Sequence, residues 1–172
     1  FELVRSELEQ QPESEELAAA LGELATLGGW NEELANAYAK IVDREGVDPE
    51  VRVRLARRTA AVYDDRHDNP EAAERFHRVV LDAGGLDLHA FNALKRFYQE
   101  RERWDDLRAL YATWVERTPE AEARIELLLE EATVLEEILD QPAEAAAVYE
   151  KILKLDETNR SASRALDRLL IR

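Results

Sequence analysis

The stretch QPAEAAAVYEKILKLDETN, residues 141–159, decides the fold. Ala145, Tyr149, Ile152 and Leu153 recur at intervals of four, three and one, which stacks them on one face of a helix. A small residue one turn before an aromatic lets a neighbouring backbone approach while the ring fills the remaining space. The same arrangement occurs three more times upstream. Leu34, Tyr38, Ile41 and Val42 carry it first, then Ala72, Phe76, Val79 and Val80, then Leu107, Tyr111, Trp114 and Val115. Their aromatics lie 38, 35 and 38 residues apart, and an apolar stripe returning at such a period marks stacked helical repeats.

Between the stripes lie further amphipathic segments. Residues 1–10 read as a helix with Leu3, Val4 and Leu8 apolar, and Pro12 opens another that buries Leu17, Leu21, Leu24 and Leu27. Gly28-Gly29 ends it, and Trp30 opens the first stripe helix. Asp48-Pro49 is an N-cap followed by a first-turn proline. The helix it starts, about 49–66, carries Val53, Ala56, Ala60 and Tyr63 inward. Segment 87–101 turns Ala90, Leu94 and Phe97 inward; 120–139 presents Ile125, Leu128, Ala132, Leu135 and Leu139; 160–171 presents Ala162, Leu166 and Leu169. Trp30 and Trp104 recur in register with the stripes and are assigned to the core. The expected fold is all-α, about ten helices joined by short turns and therefore antiparallel in sequence. The whole of 1–172 reads as one array of pairs, 13–46, 48–84, 87–118 and 120–155, with partial helices 1–10 and 160–171 at its ends. Tyr38 to Tyr111 and Phe76 to Tyr149 are both 73 residues, so the repeating unit is four helices.

These residues resemble the tetratricopeptide repeat (TPR) family. Trp104, Leu107 and Tyr111 have the spacing of that family's opening Trp, Leu and Tyr, although here they lie on the second helix of a pair. Ala145, Tyr149-Glu150-Lys151 and Leu153 to Asn159 look like the family's second helix and exit turn. Ala60 and Ala132 stand where the family has a small glycine. The resemblance covers nearly the whole chain and implies a right-handed α-solenoid, a TPR-like superhelix whose first helices line a concave wall. It is specific for architecture and silent on biology.

Composition narrows the function classes. The formal charge of −15 argues against nucleic-acid and anionic-membrane binding, and no apolar run reaches the roughly 18 residues a span needs. The chain has no cysteine, which suits a cytoplasmic protein. It has no methionine and opens inside a helix, as an internal piece of a longer protein would. Arginine outnumbers lysine 19 to 4, which suggests a GC-rich bacterial coding source.

Nothing reads as a catalytic motif. The three histidines, His67, His77 and His89, share no helical metal-binding spacing. Asp64, His67 and Asp68 stand at i, i+3 and i+4, which a solvated helix end with a capping Asp explains without a metal. Carboxylate pairs such as Glu130/Glu131 and Glu136/Glu137 read as solvated faces. The expectation is a non-enzyme without cofactor or metal.

Charge is uneven along the chain. Residues 51–101 carry net +2 between acidic flanks, centred on Arg52, Arg54, Arg57 and Arg58. If Val53, Ala56 and Ala60 face the core, residues one position later turn about 100° away, onto the wall. That step places Arg54, Arg57, Ala61 and Asp64 on one strip, and Phe91, Lys95 and Tyr98 on the next. Ala18, Gly22 and Ala25 would form a small-residue wall at the other end. The expected function is a protein-interaction scaffold. Arg54, Arg57 and Lys95 would meet acidic groups of a partner peptide or helix, and Phe91 and Tyr98 would grip an apolar side chain. Burial of Phe91 and Tyr98 between repeats is an equal alternative. A structural spacer, self-association through the terminal helices, and a regulatory arm of an enzyme remain as other readings.

Overall fold

Several helices start where a capping residue or proline precedes an apolar-periodic run. The computed structural model describes residues 1–66 and 69–170. Among the described residues ten α-helices follow in order: α1 Glu2–Gln10, α2 Glu15–Gly28, α3 Asn31–Val42, α4 Pro49–Arg66, α5 Pro70–Asp82, α6 Leu88–Glu100, α7 Trp104–Arg117, α8 Ala121–Thr133, α9 Pro142–Leu155 and α10 Arg160–Leu170. A π turn, Val134–Ile138, prolongs α8. Among the described residues there is no strand, and the chain is all-α. Ser14, Asn69, Asp87 and Asn159 accept backbone N–H groups of the first turns of α2, α5, α6 and α10. Asp48 does the same for α4, as the Asp-Pro reading expects.

The helices fall into two compact units, Phe1–Arg101 (α1 to α6) and Glu102–Arg172 (α7 to α10). Within each, every helix packs on the next in sequence. The stripes supply the contact. Leu34, Tyr38, Ile41 and Val42 are all buried, as are Phe76 and Val80, Leu107, Tyr111 and Trp114, and Ala145, Tyr149 and Ile152. Ala60 and Ala132, at the small-residue positions, have no exposed surface.

A second set of contacts links alternate helices. In the first unit Lys40 on α3 pairs with Glu9 on α1 at 2.9 Å, Arg58 on α4 with Glu15 on α2, and Arg75 on α5 with Asp43 after α3. In the second unit Arg108 on α7 pairs with Glu144 on α9 at 2.5 Å. Arg168 on α10 pairs with Glu136 in the π turn at 2.8 Å. Apolar packing of successive helices is thus joined by ion pairs between alternate ones, which is the contact pattern of helix pairs stacked in file. Each exposed pair contributes no more than about 1 kcal/mol.

The turns repeat as well. Gly29 (φ 72°), Glu102 (φ 53°) and Asp140 (φ 50°) are left-handed, and each stands two residues before the first residue of α3, α7 or α9.

Two expectations about helix faces are corrected. On α2 the fully buried residues are Ala18, Leu21 and Ala25, while Leu17 and Leu24 are half-buried and Leu27 is exposed. On α6 they are Ala90, Phe91, Leu94 and Tyr98, with Phe97 half-buried. Each helix is rolled toward the face assigned to the wall. On α4, Val51, Leu55 and Thr59 join Ala56 and Ala60 inside, and Val53 is half-buried. Trp30 is corrected too: it is 42% exposed, because it stands before the first turn of α3. There its ring lies beside Phe1 and over Gly28, where a Cβ would come within 2.5 Å of it.

Candidate functional site

The five residues expected to dock a partner separate by burial. Phe91 and Tyr98 are each 2% exposed, so burial between repeats is the arrangement adopted. Arg78 Nε donates to the Tyr98 hydroxyl at 2.7 Å, and that hydroxyl donates to Glu74 at 3.2 Å. Burial chiefly raises the Tyr98 phenol above its ordinary range, so it stays protonated as a donor. Lys95 sits 5.6 Å from the centre of the Phe91 ring and covers it. These two rings cannot serve as exposed anchors while α6 keeps this rotation.

The arginines of α4 act as ties. Arg54 Nη2 donates to the carbonyls of Pro12 and Glu13, both at 3.0 Å, and the same side chain pairs with Glu15. Arg57, still half-exposed, pairs with Asp87, the N-cap of α6, at 2.6 Å. Arg57 and the Ala90 backbone N–H hold Asp87 below the usual carboxylate range, against the larger effect of its burial. The basic band therefore links α4 back to the start of α2 and forward to α6.

Beside it runs an open groove of about 840 Å³ between α2 and α4, floored by α3. Ala19 and Gly22 form one wall, Ala61 and Val62 the other, and Leu34 with Tyr38 the floor. Glu23, Arg58 and Asp65 stand on its edges. The Tyr38 hydroxyl donates to the Ala18 carbonyl at 2.6 Å, and its oxygen lies 3.6 Å from where a Cβ on Gly22 would sit. The small residues of α2 thus admit the Tyr38 ring from below. Of the expected wall Ala18, Gly22 and Ala25, Gly22 lines the groove while Ala18 and Ala25 are buried.

A second cleft, about 350 Å³, opens between α4, α5 and α6. At its edge the sequence reading missed a cluster. Asp64 on α4 receives the Nε2 of buried His77 on α5 at 2.9 Å and faces the Nε2 of exposed His89 on α6 at 3.6 Å. The two imidazoles meet edge to face, 5.5 Å between centres. Burial pushes the Asp64 carboxyl up, but the His77 hydrogen bond and the charges of His77, His89 and Arg96 outweigh it and hold it below the ordinary range. The expected grouping of Asp64 with His67 and Asp68 lies partly outside the described residues.

In the second unit the carboxylate pairs are not all solvated. Glu130 accepts from the Tyr111 hydroxyl at 3.0 Å, and Glu136 from the Tyr149 hydroxyl at 3.3 Å. Glu131 is only 9% exposed, beside Ala132, and burial raises its carboxyl above the ordinary range against the pull of Lys151 and Arg108. The folded chain then holds this proton more tightly than the unfolded chain. Stability present below the unperturbed value of 4.5 is lost as pH rises through the folded value. Glu131→Gln removes the charge at nearly constant volume. It should stabilise the protein at neutral pH by about 1 kcal/mol, with the difference shrinking toward zero in acid. Urea unfolding at pH 7 and below pH 4 measures this, and a gap independent of pH would count against it.

No helix among the described residues is long and apolar enough to cross a membrane. No protein-family model matches the chain, and no curated protein is detectably similar to it.

Proposed function

We propose that the first unit is a non-catalytic interaction module of the tetratricopeptide kind, taking a segment of a partner protein in the groove between α2 and α4. The observation that carries this reading is the groove itself. It offers about 840 Å³ of open space along α2 and α4. Its walls come from the first helices of successive pairs, and small residues there (Ala19, Gly22, Ala61) leave room for a ligand backbone. Arg58 on one edge, paired with Glu15 at the start of α2, brings positive charge to the groove that acidic groups of the partner would meet. Glu23 and Asp65 on the other edges favour a segment of mixed charge. Such a groove is preformed, so little ordering of the array opposes binding.

Peptides selected from a random display library on the wild-type chain provide the test. Ala61 is exposed, so Ala61→Glu leaves the core untouched while placing a charge in the wall. Selected peptides should bind Ala61→Glu and Gly22→Glu at least about tenfold more weakly, because a buried unpaired charge costs several kcal/mol. Equal binding to both variants would remove the groove from consideration. A second reading, self-association through the end of the first unit, is favoured by the exposed Leu3, Leu27 and Trp30. A concentration-independent monomer in sedimentation would exclude it.

A further inference from the structure

We propose that Asp64, His77 and His89 form a binding site for a borderline transition-metal dication, of which zinc is the type, that ties α4, α5 and α6 together. One candidate ligand atom from each residue lies within 4.8 Å of the other two. Tetrahedral zinc with bonds near 2.05 Å requires ligand-to-ligand edges of about 3.3 Å. The carboxylate-to-imidazole separations of 2.9 and 3.6 Å bracket that value. Closing the remaining edge needs only a movement of His89, whose side chain is 77% exposed.

The donor chemistry selects the class of ion. Two imidazoles and one carboxylate, without sulfur, suit zinc, cobalt, nickel or copper and are poor for calcium or magnesium, which take oxygen shells. Placement favours the same conclusion. His77 is 3% exposed, on a helix whose Phe76 and Val80 are also buried. Asp64 is 23% exposed at its side chain, and His89 closes the solvent side. A bound ion would take the place of the hydrogen bond between Asp64 and His77, and water would complete its shell from the open side. Arg96, which acts on Asp64 and lines the adjoining cleft, opposes a dication and sets the affinity below that of a four-ligand structural site. The three residues come from three successive helices, so the ion would act as a clip across two helix pairs.

The test uses the tag-free chain stripped of metal with a chelator. Zinc titration by calorimetry should show one site, and the thermal midpoint should rise by about 5–10 °C at a hundredfold excess over Kd. His89→Ala changes an exposed side chain, and Asp64→Asn keeps the shape of the half-buried one. Each should weaken zinc binding by more than about tenfold, since even residues behind the ligands are worth that much. Magnesium should produce no shift. Absence of saturable zinc binding, binding that survives His89→Ala, or an equal response to magnesium would each overturn the site. His89→Ala decides the matter even if Asp64→Asn disturbs the fold.

Discussion

Phe76→Ala is expected to destabilise the first unit by about 3–5 kcal/mol, the usual cost of emptying an aromatic site in a close-packed interior. Phe76 is 2% exposed and lies parallel to the Tyr63 ring of α4, with centres 6.1 Å apart. The Arg75 guanidinium covers its face at 4.9 Å. Removal of the ring leaves a void between α4 and α5, two helices that share an extensive interface. Phe76→Leu keeps most of the volume and should cost less than about 1.5 kcal/mol. Urea unfolding of both variants separates volume from mere substitution. A loss below about 1 kcal/mol for the alanine variant would mean that the α4–α5 interface collapses around the gap.

Ile152→Ala should have a comparable effect in the second unit, about 3–4 kcal/mol. Ile152 has no exposed surface and belongs to a cluster with Leu128, Ala132, Leu135, Val148, Tyr149 and Ala162. It stands where α9 meets α8, the π turn and α10. Because each helix touches mainly its neighbours, amide exchange should accelerate in α8 to α10 while α2 to α5 keep their protection. Uniform acceleration along the whole chain would argue against that locality.

The stripe helices were legible because each carries one aromatic in a single apolar face, and the spacing fixes which way that face points. The first helices of the pairs were harder. On α6, Ala90, Phe91, Leu94, Phe97 and Tyr98 occupy more than one face, so periodicity admits two rotations about 100° apart. The rotation that buries Phe91 and Tyr98 encloses two rings and finds partners for the tyrosine hydroxyl in Arg78 and Glu74. On α2 residues 18 to 20 are all alanine, so the face is not marked there by side-chain size. The Tyr38 ring packs on the face of Ala18, its hydroxyl bonded to the Ala18 carbonyl. Trp30 was misplaced because register with a stripe says nothing about a residue that precedes the helix. The Asp64–His77–His89 cluster had no local signal. Its members are 13 and 12 residues apart on three helices, and only packing brings them together. Glu131 reads as one of many paired charges, and it is buried on α8, which packs against α9.

The left-handed residues before α3, α7 and α9 show how loosely a bend depends on its occupant. Glycine takes that backbone at no steric cost, whereas Glu102 and Asp140 adopt it against a preference of about 1–2 kcal/mol. The helices on either side therefore dictate the corner, and the corner accepts what stands there. A molecule assembled in this way can keep its joints while their chemical signature drifts, so punctuation by glycine marks fewer joints than the chain possesses.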